Sequence, residues 1–426
     1  MNKRVTMVKR MAAVGLCVLT LTGCTQEENR ESETAAQALS ESAVTADQTE
    51  AETVSAQTGT ERLGSGQILY ETDQGPLDGD QENLLLSYMD RYYEALARLE
   101  VPDFDSLFSD SVQARASESG AALQAGIREM QEADYSLVSY RYELVCRDIT
   151  EEEDGTVSIF ATENSVQNFA QNPETDAERY GSYHRFVLEE DDGQWYISQH
   201  RLVDTLYMIL PRDSWEDDVS EAYIEAVPEY LNLMEEQLQE RIEERGENVE
   251  LPDTDHPYDS EGALAYAEAY VHERNAEWDD YTGRGGNCQN YVSQCLLAGG
   301  IPMDLSGEQV WKWYSDVVSN DRSASGRSSS WTGVDSFVAY AEQNSGYGLS
   351  AVTDAPYYSG QPGDLIQMGT EDNWRHTVMI GSLVENEEGE TIDYLVYSNT
   401  GDLKNYPASL YGYPEYMLTR IAGWND

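Results

Sequence analysis

Positive charge is scarce in this chain: 26 Lys and Arg stand against 80 Asp and Glu over 426 residues, a net charge of −54. Nucleic acids and anionic lipid surfaces are held by basic patches, so nucleic acid is not an expected partner and general affinity for anionic lipid is not expected either. A surface this acidic keeps a chain soluble and biases it toward cationic or neutral ligands. The carboxylates form no D-x-[DN]-x-[DN]-G calcium loop, which leaves most of them as solvated surface. Cysteine is equally sparse, with five in all. Cys288 and Cys295 lie on one expected helix, at a spacing that separates their Cα atoms by about 10.5 Å, beyond disulfide reach. Without a nearby His pair they are also a poor zinc set. No metal and no cofactor is expected.

Long apolar runs are missing from the N-terminus as well. Met11 to Leu21 follows the basic residues Lys3, Arg4, Lys9 and Arg10 and is too short to span a bilayer as a mature helix. It closes on Leu21-Thr22-Gly23-Cys24, which resembles the lipobox of bacterial lipoprotein signals. For residues 1–24 that resemblance implies cleavage before Cys24 and diacylglyceryl modification of its thiol. The mature protein would then be lipid-anchored to the bacterial cell membrane and face outside the cytoplasm, because two acyl chains suffice for stable anchoring. Losing the four basic residues would take the net charge from −54 to about −58. Residues 25–65 are rich in Glu, Ser, Thr, Ala and Gln, and the next aromatic residue is Tyr70. Such a segment cannot bury enough apolar surface to offset its ordering entropy. It is expected to be a disordered acidic tether with a root-mean-square reach of roughly 35 Å.

Residues 66–212 are expected to form a first globular domain. Leu84, Leu85, Tyr88, Tyr92, Leu96 and Leu99 recur at helical spacing over Gln81–Leu99, and a second helix is expected over Ser111–Ala133. Strand-like runs follow at Tyr135–Asp148, Thr156–Thr162, Ser182–Glu189 and Gln194–Gln199, separated by acidic or glycine turns. Helices followed by a meander of strands make an α+β domain, and in broad shape it resembles the cone-shaped NTF2-like fold. His184 and His200 fall on its strands without a motif and read as structural, as does Cys146. The domain is expected to bind or position rather than to catalyse. Residues 213–257 read as a helical connector and linker. Tyr223, Val227, Tyr230, Leu231, Met234 and Leu238 share one face, with Pro228 as a kink or restart.

Residues 258–426 differ in character. Ser260 is the expected cap of a helix from Glu261 to Glu277. The glycine-rich turn Gly283–Gly286 then leads through Asn287 to Cys288. From there Tyr291, Val292, Cys295, Leu296 and Ala298 recur at helical spacing until Gly299, Gly300 and Pro302 stop the helix. Cys288 therefore sits at a helix N-terminus, where unpaired N–H groups and the positive dipole end favour thiolate. Its neighbours are glycine or polar, which sets it apart from Cys295 on the apolar face and makes it a candidate nucleophile. Downstream, His376, Val378 and Ile380 alternate on one strand face, and Asp393, Leu395, Tyr397 and Asn399 on another. If these strands pair antiparallel, His376 and Asn399 become neighbours. A nucleophilic helix packed on such a sheet is what Cys-His-Asn hydrolysis requires: His376 takes the thiol proton and Asn399 fixes the imidazole tautomer. His272 and His256 have no such context, and Trp311, Trp313 and Trp331 read as core.

Taken in order, the stretches YDSEGALAYAEAY, GGNCQNYVSQCLLAGGIP, SSSWTGVDSFVAY, PGDLIQM, WRHTVMIG and YSNTGD resemble the putative amidase domain family of bacterial surface proteins. That family is related to the NlpC/P60 and CHAP groups of papain-like cysteine peptidases. The resemblance covers Tyr258 to Asp426. It implies a papain-like domain, with a Cys-bearing helix packed on an antiparallel sheet, that hydrolyses amide bonds in peptidoglycan or another peptide. By motif, Cys288 matches the nucleophile and His376 the base. Asn399 matches a third position often filled by His in an H-T-x-D motif, which here reads Asn399-Thr400-Gly401-Asp402. Asn287 replaces an Asp that the family often carries before the cysteine. Thr282 stands where papain places its oxyanion glutamine, so the expected oxyanion donors are the Cys288 N–H and a second group, with Gln289, Asn290 and Tyr281 as candidates. A different class of function stays open: a surface lipoprotein whose papain-like domain binds peptide or cell-wall ligands without cleaving them. The intact Cys-His-Asn set favours the enzyme.

Overall fold

The computed structural model describes residues 63–203, 221–247, 249–307, 309–370 and 373–426. The leader with Cys24, and the tether as far as residue 62, lie outside them. Among the described residues, Asp280–Gly286 separates from the compact unit that holds the rest and is taken by itself. Within the Asp280–Gly286 loop, Asp280 Oδ1 accepts the N–H and O–H of Thr282 at 2.9 and 2.6 Å. Gly285 and Gly286 take φ of +102° and +108°, which a side chain would resist.

In the larger unit the first half contains β1 (Gly64–Tyr70), α1 (Gly79–Arg98), α2 (Ser111–Glu129), β2 (Leu137–Glu151), β3 (Val157–Phe169), β4 (Asn172–Asp191), β5 (Gln194–Val203) and α3 (Glu221–Glu243). The second half contains β6 (His256–Pro257), α4 (Ser260–Tyr270), α5 (Cys288–Ala298), α6 (Ser329–Thr332), α7 (Val334–Gln343), β7 (Gly348–Ala355), β8 (Leu365–Thr370), β9 (Asn373–Glu385), β10 (Thr391–Ser398), β11 (Asp402–Pro407) and β12 (Glu415–Asn425). Local chemistry sets the helix starts. Asp78 accepts the N–H groups of Asp80 and Gln81, while the Gln81 side chain accepts that of Asp78, a complete capping box for α1. Asp259, rather than the expected Ser260, caps α4 by accepting Gly262 N–H, and α4 stops at Tyr270, short of the expected Glu277. α3 runs through Pro228 without a restart.

The strands form one sheet in the order β1-β2-β3-β4-β11-β10-β9-β8-β12-β6, with β5 also on β4 and β7 on β12. The β1–β2 pair is parallel and the named pairs beyond it are antiparallel. Helices beside a mostly antiparallel sheet make the fold α+β. β1 begins at Gly64, inside the span expected for the tether. A Cβ on Gly66 would lie 1.9 Å from the Tyr142 ring, so this glycine serves a close strand approach rather than a linker.

The sheet runs without a break through both expected globular segments, because β4 pairs with β11 at Tyr180–Asp402, Arg179–Leu403 and Glu178–Lys404. Buried side chains reinforce the junction. Tyr135 O–H donates to Asp393 Oδ2 at 2.6 Å, Ser409 O–H donates to the same oxygen, and Tyr394 N–H reaches Oδ1. On α3, Tyr230 O–H donates to Gly412 O, and the Arg241 guanidinium lies 4.8 Å from the Tyr416 ring centre. A second buried polar chain crosses the first half. His184 Nε2 bonds Glu163 Oε2 at 2.9 Å, His184 Nδ1 meets His200 Nε2 at 3.0 Å, and Tyr88 O–H reaches His200 Nδ1 at 3.0 Å. Every link has a partner, the condition under which a buried polar chain is tolerated.

Candidate functional site

α5 begins at Cys288 and packs on β9. Its stripe of Tyr291, Val292, Cys295 and Leu296 is buried with Trp311 and Trp331, which anchors the helix and fixes where its N-terminus lies. Cys288 is itself buried. The backbone N–H groups of Thr377, Gln289 and Cys288 itself act on its thiol in the direction that favours thiolate. The nucleophile candidate therefore touches the β9 backbone one residue past His376. Burial pushes its thiol pKa up from the usual 9.0, and those N–H groups only partly oppose the rise. The helix N-terminus was expected to favour thiolate, but here desolvation outweighs it.

β9 and β10 pair antiparallel, with Met379 opposite Tyr397 and Ile380 opposite Val396. Side chains alternate between faces, so His376, Val378, Ile380, Val396 and Ser398 share one face and Asn399 falls to the other. His376 Nε2 accordingly meets Ser398 Oγ at 3.0 Å. The expected bond from Asn399 to the imidazole is not made. Asn399 Oδ1 instead accepts Asn287 Nδ2 at 2.6 Å, and its own amide donates to the carbonyls of Tyr270 and Val271 at 3.1 and 3.2 Å. The imidazole lies 5.2 Å from the Tyr411 ring and 6.3 Å from that of Tyr413, centre to centre. Burial lowers its pKa to about 4. Among the described residues no hydrogen bond joins Cys288 to the imidazole. Near pH 7 the thiol and the imidazole therefore both rest neutral.

Amides brace the start of α5. Asn287 N–H donates to Thr400 Oγ1 at 2.6 Å, and Asn290 Nδ2 donates to Asn287 Oδ1 at 2.8 Å. Trp331 Nε1 in turn donates to Asn290 Oδ1 at 3.0 Å. Asn290 is therefore committed to this network. Gln289 is fully buried, with Nε2 donating one of its two N–H groups to Ser293 Oγ at 3.2 Å and Oε1 lacking a partner. Asp402 holds Arg274 through both carboxylate oxygens at 3.0 and 3.1 Å. Among the described residues no group of three or more His, Cys, Asp or Glu is placed to hold a metal ion.

Residues 257–421 match the family model described as the putative amidase domain. This part of the chain belongs to that family. Cys288, Gln289, His376, Ser398 and Asn399 all lie within the amidase domain, and membership supports a hydrolase acting on amides. A protein of Bacillus subtilis (strain 168), described as uncharacterized protein YhbB, is 34% identical over 125 residues, covering 29% of this chain and 37% of that protein. The chain thus spans little more than a third of that relative. The crystal structure of the intermembrane space region of the chloroplast protein ARC6 is 17% identical and covers 30% of this chain and 98% of its own, at a TM-score of 0.21. That likeness is too low to carry an argument.

Sequence reasoning missed Ser398, Thr377 and Tyr411. Ser398 could not be read in advance, because the β9–β10 register shifts between Leu395 and Val396 and only past that shift do even-numbered residues of the two strands pair. Thr377 contributes through its backbone, and Tyr411 comes from a 3-10 turn (Ala408–Tyr411) remote in sequence, so neither carries a local signature.

Proposed function

We propose that this chain is a cysteine-dependent amidase or peptidase in which Cys288 attacks an amide carbonyl and His376 carries the proton. One observation carries the reading: inside the amidase domain, Cys288 opens a helix that packs on the strand carrying His376, and the backbone of Thr377, one residue past that histidine, acts on its thiol. Because both groups rest neutral, the thiol proton passes to His376 as Sγ approaches the carbonyl, not in advance. The C–S bond forms, His376 protonates the leaving amine as the C–N bond breaks, and a water activated by His376 then cleaves the thioester. The N–H groups gathered at Sγ suit an oxyanion forming beside it. Asn399 acts in this reading as a brace for Asn287 and the start of α5.

The finer assignments belong to the same proposal. The amidase domain is papain-like and the preceding segment NTF2-like. Cys24 carries the lipid anchor, the protein faces outside the cytoplasm, and the substrate is peptide, foremost the peptides of peptidoglycan. The acidic surface suits a substrate with free amino groups. The test is digestion of purified peptidoglycan by the full-length protein, with mass analysis of the released fragments. New amine ends that disappear with Cys288→Ala support the reading and identify the bond.

A second reading rests on the buried, upshifted thiol and its lack of a bond to the imidazole: a surface lipoprotein that binds peptide without cleaving it. Under that reading peptidoglycan is retained by the protein but yields no fragments.

A further inference from the structure

The third member of the site is open once Asn399 is spent elsewhere. We infer that Ser398 and Tyr411 are the positioning residues of His376, with the Tyr411 hydroxyl selecting the reactive imidazole tautomer through Ser398. The inference rests on the Cys288–His376 reading above and deepens it.

Three observations carry it. Ser398 Oγ is fully buried and 3.0 Å from His376 Nε2. The Asn399 amide is committed at both ends to Asn287, Tyr270 and Val271. The buried Tyr411 hydroxyl makes no hydrogen bond of ordinary geometry, but Ser398 lies close enough to act on it as a hydrogen-bonding neighbour, and its ring lies 5.2 Å from the imidazole. A buried hydroxyl without a well-made hydrogen bond is costly, and such groups call for an explanation.

The chemistry follows from the hydroxyl's two-way nature. A carboxamide oxygen can only accept, so an Asn would hold Nε2–H and leave Nδ1 free as the base. A serine either accepts from Nε2–H or donates to bare Nε2, and the second choice places the ring proton on Nδ1, where it cannot take the proton of Cys288. The serine proton therefore needs another acceptor, and the Tyr411 oxygen beside it is that acceptor. With Ser398 O–H turned to Tyr411, Nε2–H donates to Ser398 Oγ and Nδ1 stays open. When His376 becomes imidazolium, the same arrangement stabilises it. No atom is gained or lost: the proton on Nδ1 arrives from Cys288 and leaves on the amine.

The experiment is nitrogen NMR of the full-length protein labelled at histidine, with the His376 signals assigned by their loss in His376→Gln. The parent should show the Nε2–H tautomer, Tyr411→Phe should move the population toward Nδ1–H, and Ser398→Thr should retain the parent pattern. In parallel, kcat on a cleaved peptide should fall about 10-fold in Tyr411→Phe and about 100-fold in Ser398→Ala at little-changed KM. The acid limb of kcat/KM should move to lower pH in Ser398→Ala, and Ser398→Thr should recover most of the rate. An unchanged tautomer in Tyr411→Phe, or a Ser398→Ala variant with the parent's kcat and pH profile, would overturn the inference. Failure of the underlying reading looks different: turnover then survives Cys288→Ala, whatever the tautomer result.

Discussion

Replacing His376 with Gln should flatten the acid side of the protein's stability curve. The imidazole is held at about 4 by burial, against an ordinary 6.5. Between those values the unfolded chain binds a proton that the native chain refuses, so stability falls as pH drops through the window and the loss is complete below about 4. A pKa difference of this size is worth roughly 3 kcal/mol at the limit, and roughly 2 kcal/mol of it is spent between pH 7 and pH 4.5. His200, also held low by burial, loses stability in the same direction, but equally in parent and variant. Glu163 is raised by burial, yet His184 and Arg179 more than offset this and hold it at about 2 against 4.5. Its contribution is therefore lost only as pH falls below about 4.5. Urea unfolding at pH 7 and pH 4.5, for the parent and His376→Gln, isolates the term. The parent should lose roughly 2 kcal/mol more than the variant. Equal losses would refute the argument, because they would mean that His376 takes its proton in the native state without penalty.

Three further predictions follow from individual contacts. Because burial raises the Cys288 thiol, alkylation by iodoacetamide should be slow at pH 6 and accelerate up to and beyond pH 9; fast labelling at pH 6, absent in Cys288→Ala, would instead indicate a preformed thiolate–imidazolium pair. Tyr135→Phe removes a hydroxyl donor from the buried Asp393 and should cost about 1–3 kcal/mol in denaturant unfolding. Gly66→Ala would place a Cβ 1.9 Å from the Tyr142 ring, so it should lower the melting temperature and speed amide hydrogen exchange in β1, whereas Gly346→Ala, at an exposed glycine with open space around it, serves as a control for the loss of glycine alone.

What could be read from the sequence was what depends on period and punctuation. The apolar stripe of α1, the start of α5 at Cys288 and the strands around His376 and Leu395 come from residue spacing, and the structure has them. What could not be read depends on which segments meet. The β4–β11 pairing that makes one sheet of both segments joins residues far apart in sequence. Gly64 has the look of a tether glycine until Tyr140 is placed over it. Asn399 was the natural partner for His376 by motif, but the register of β10 turns Ser398 to that face and Asn399 to Asn287. The helix N-terminus was legible as a source of thiolate stabilisation, whereas the burial that outweighs it was not, since burial is set by the packing around the site.

The account's central claim is that Cys288 becomes acylated during turnover. The direct measurement is acid quenching of the full-length protein during digestion of peptidoglycan peptides, followed by mass mapping of the fragment that contains Cys288. The account predicts an adduct of acyl mass on Cys288, absent from Cys288→Ala and longer-lived in a His376→Gln variant, where the base for thioester hydrolysis is missing. Undiminished turnover by Cys288→Ala, with no adduct on the parent, would contradict it.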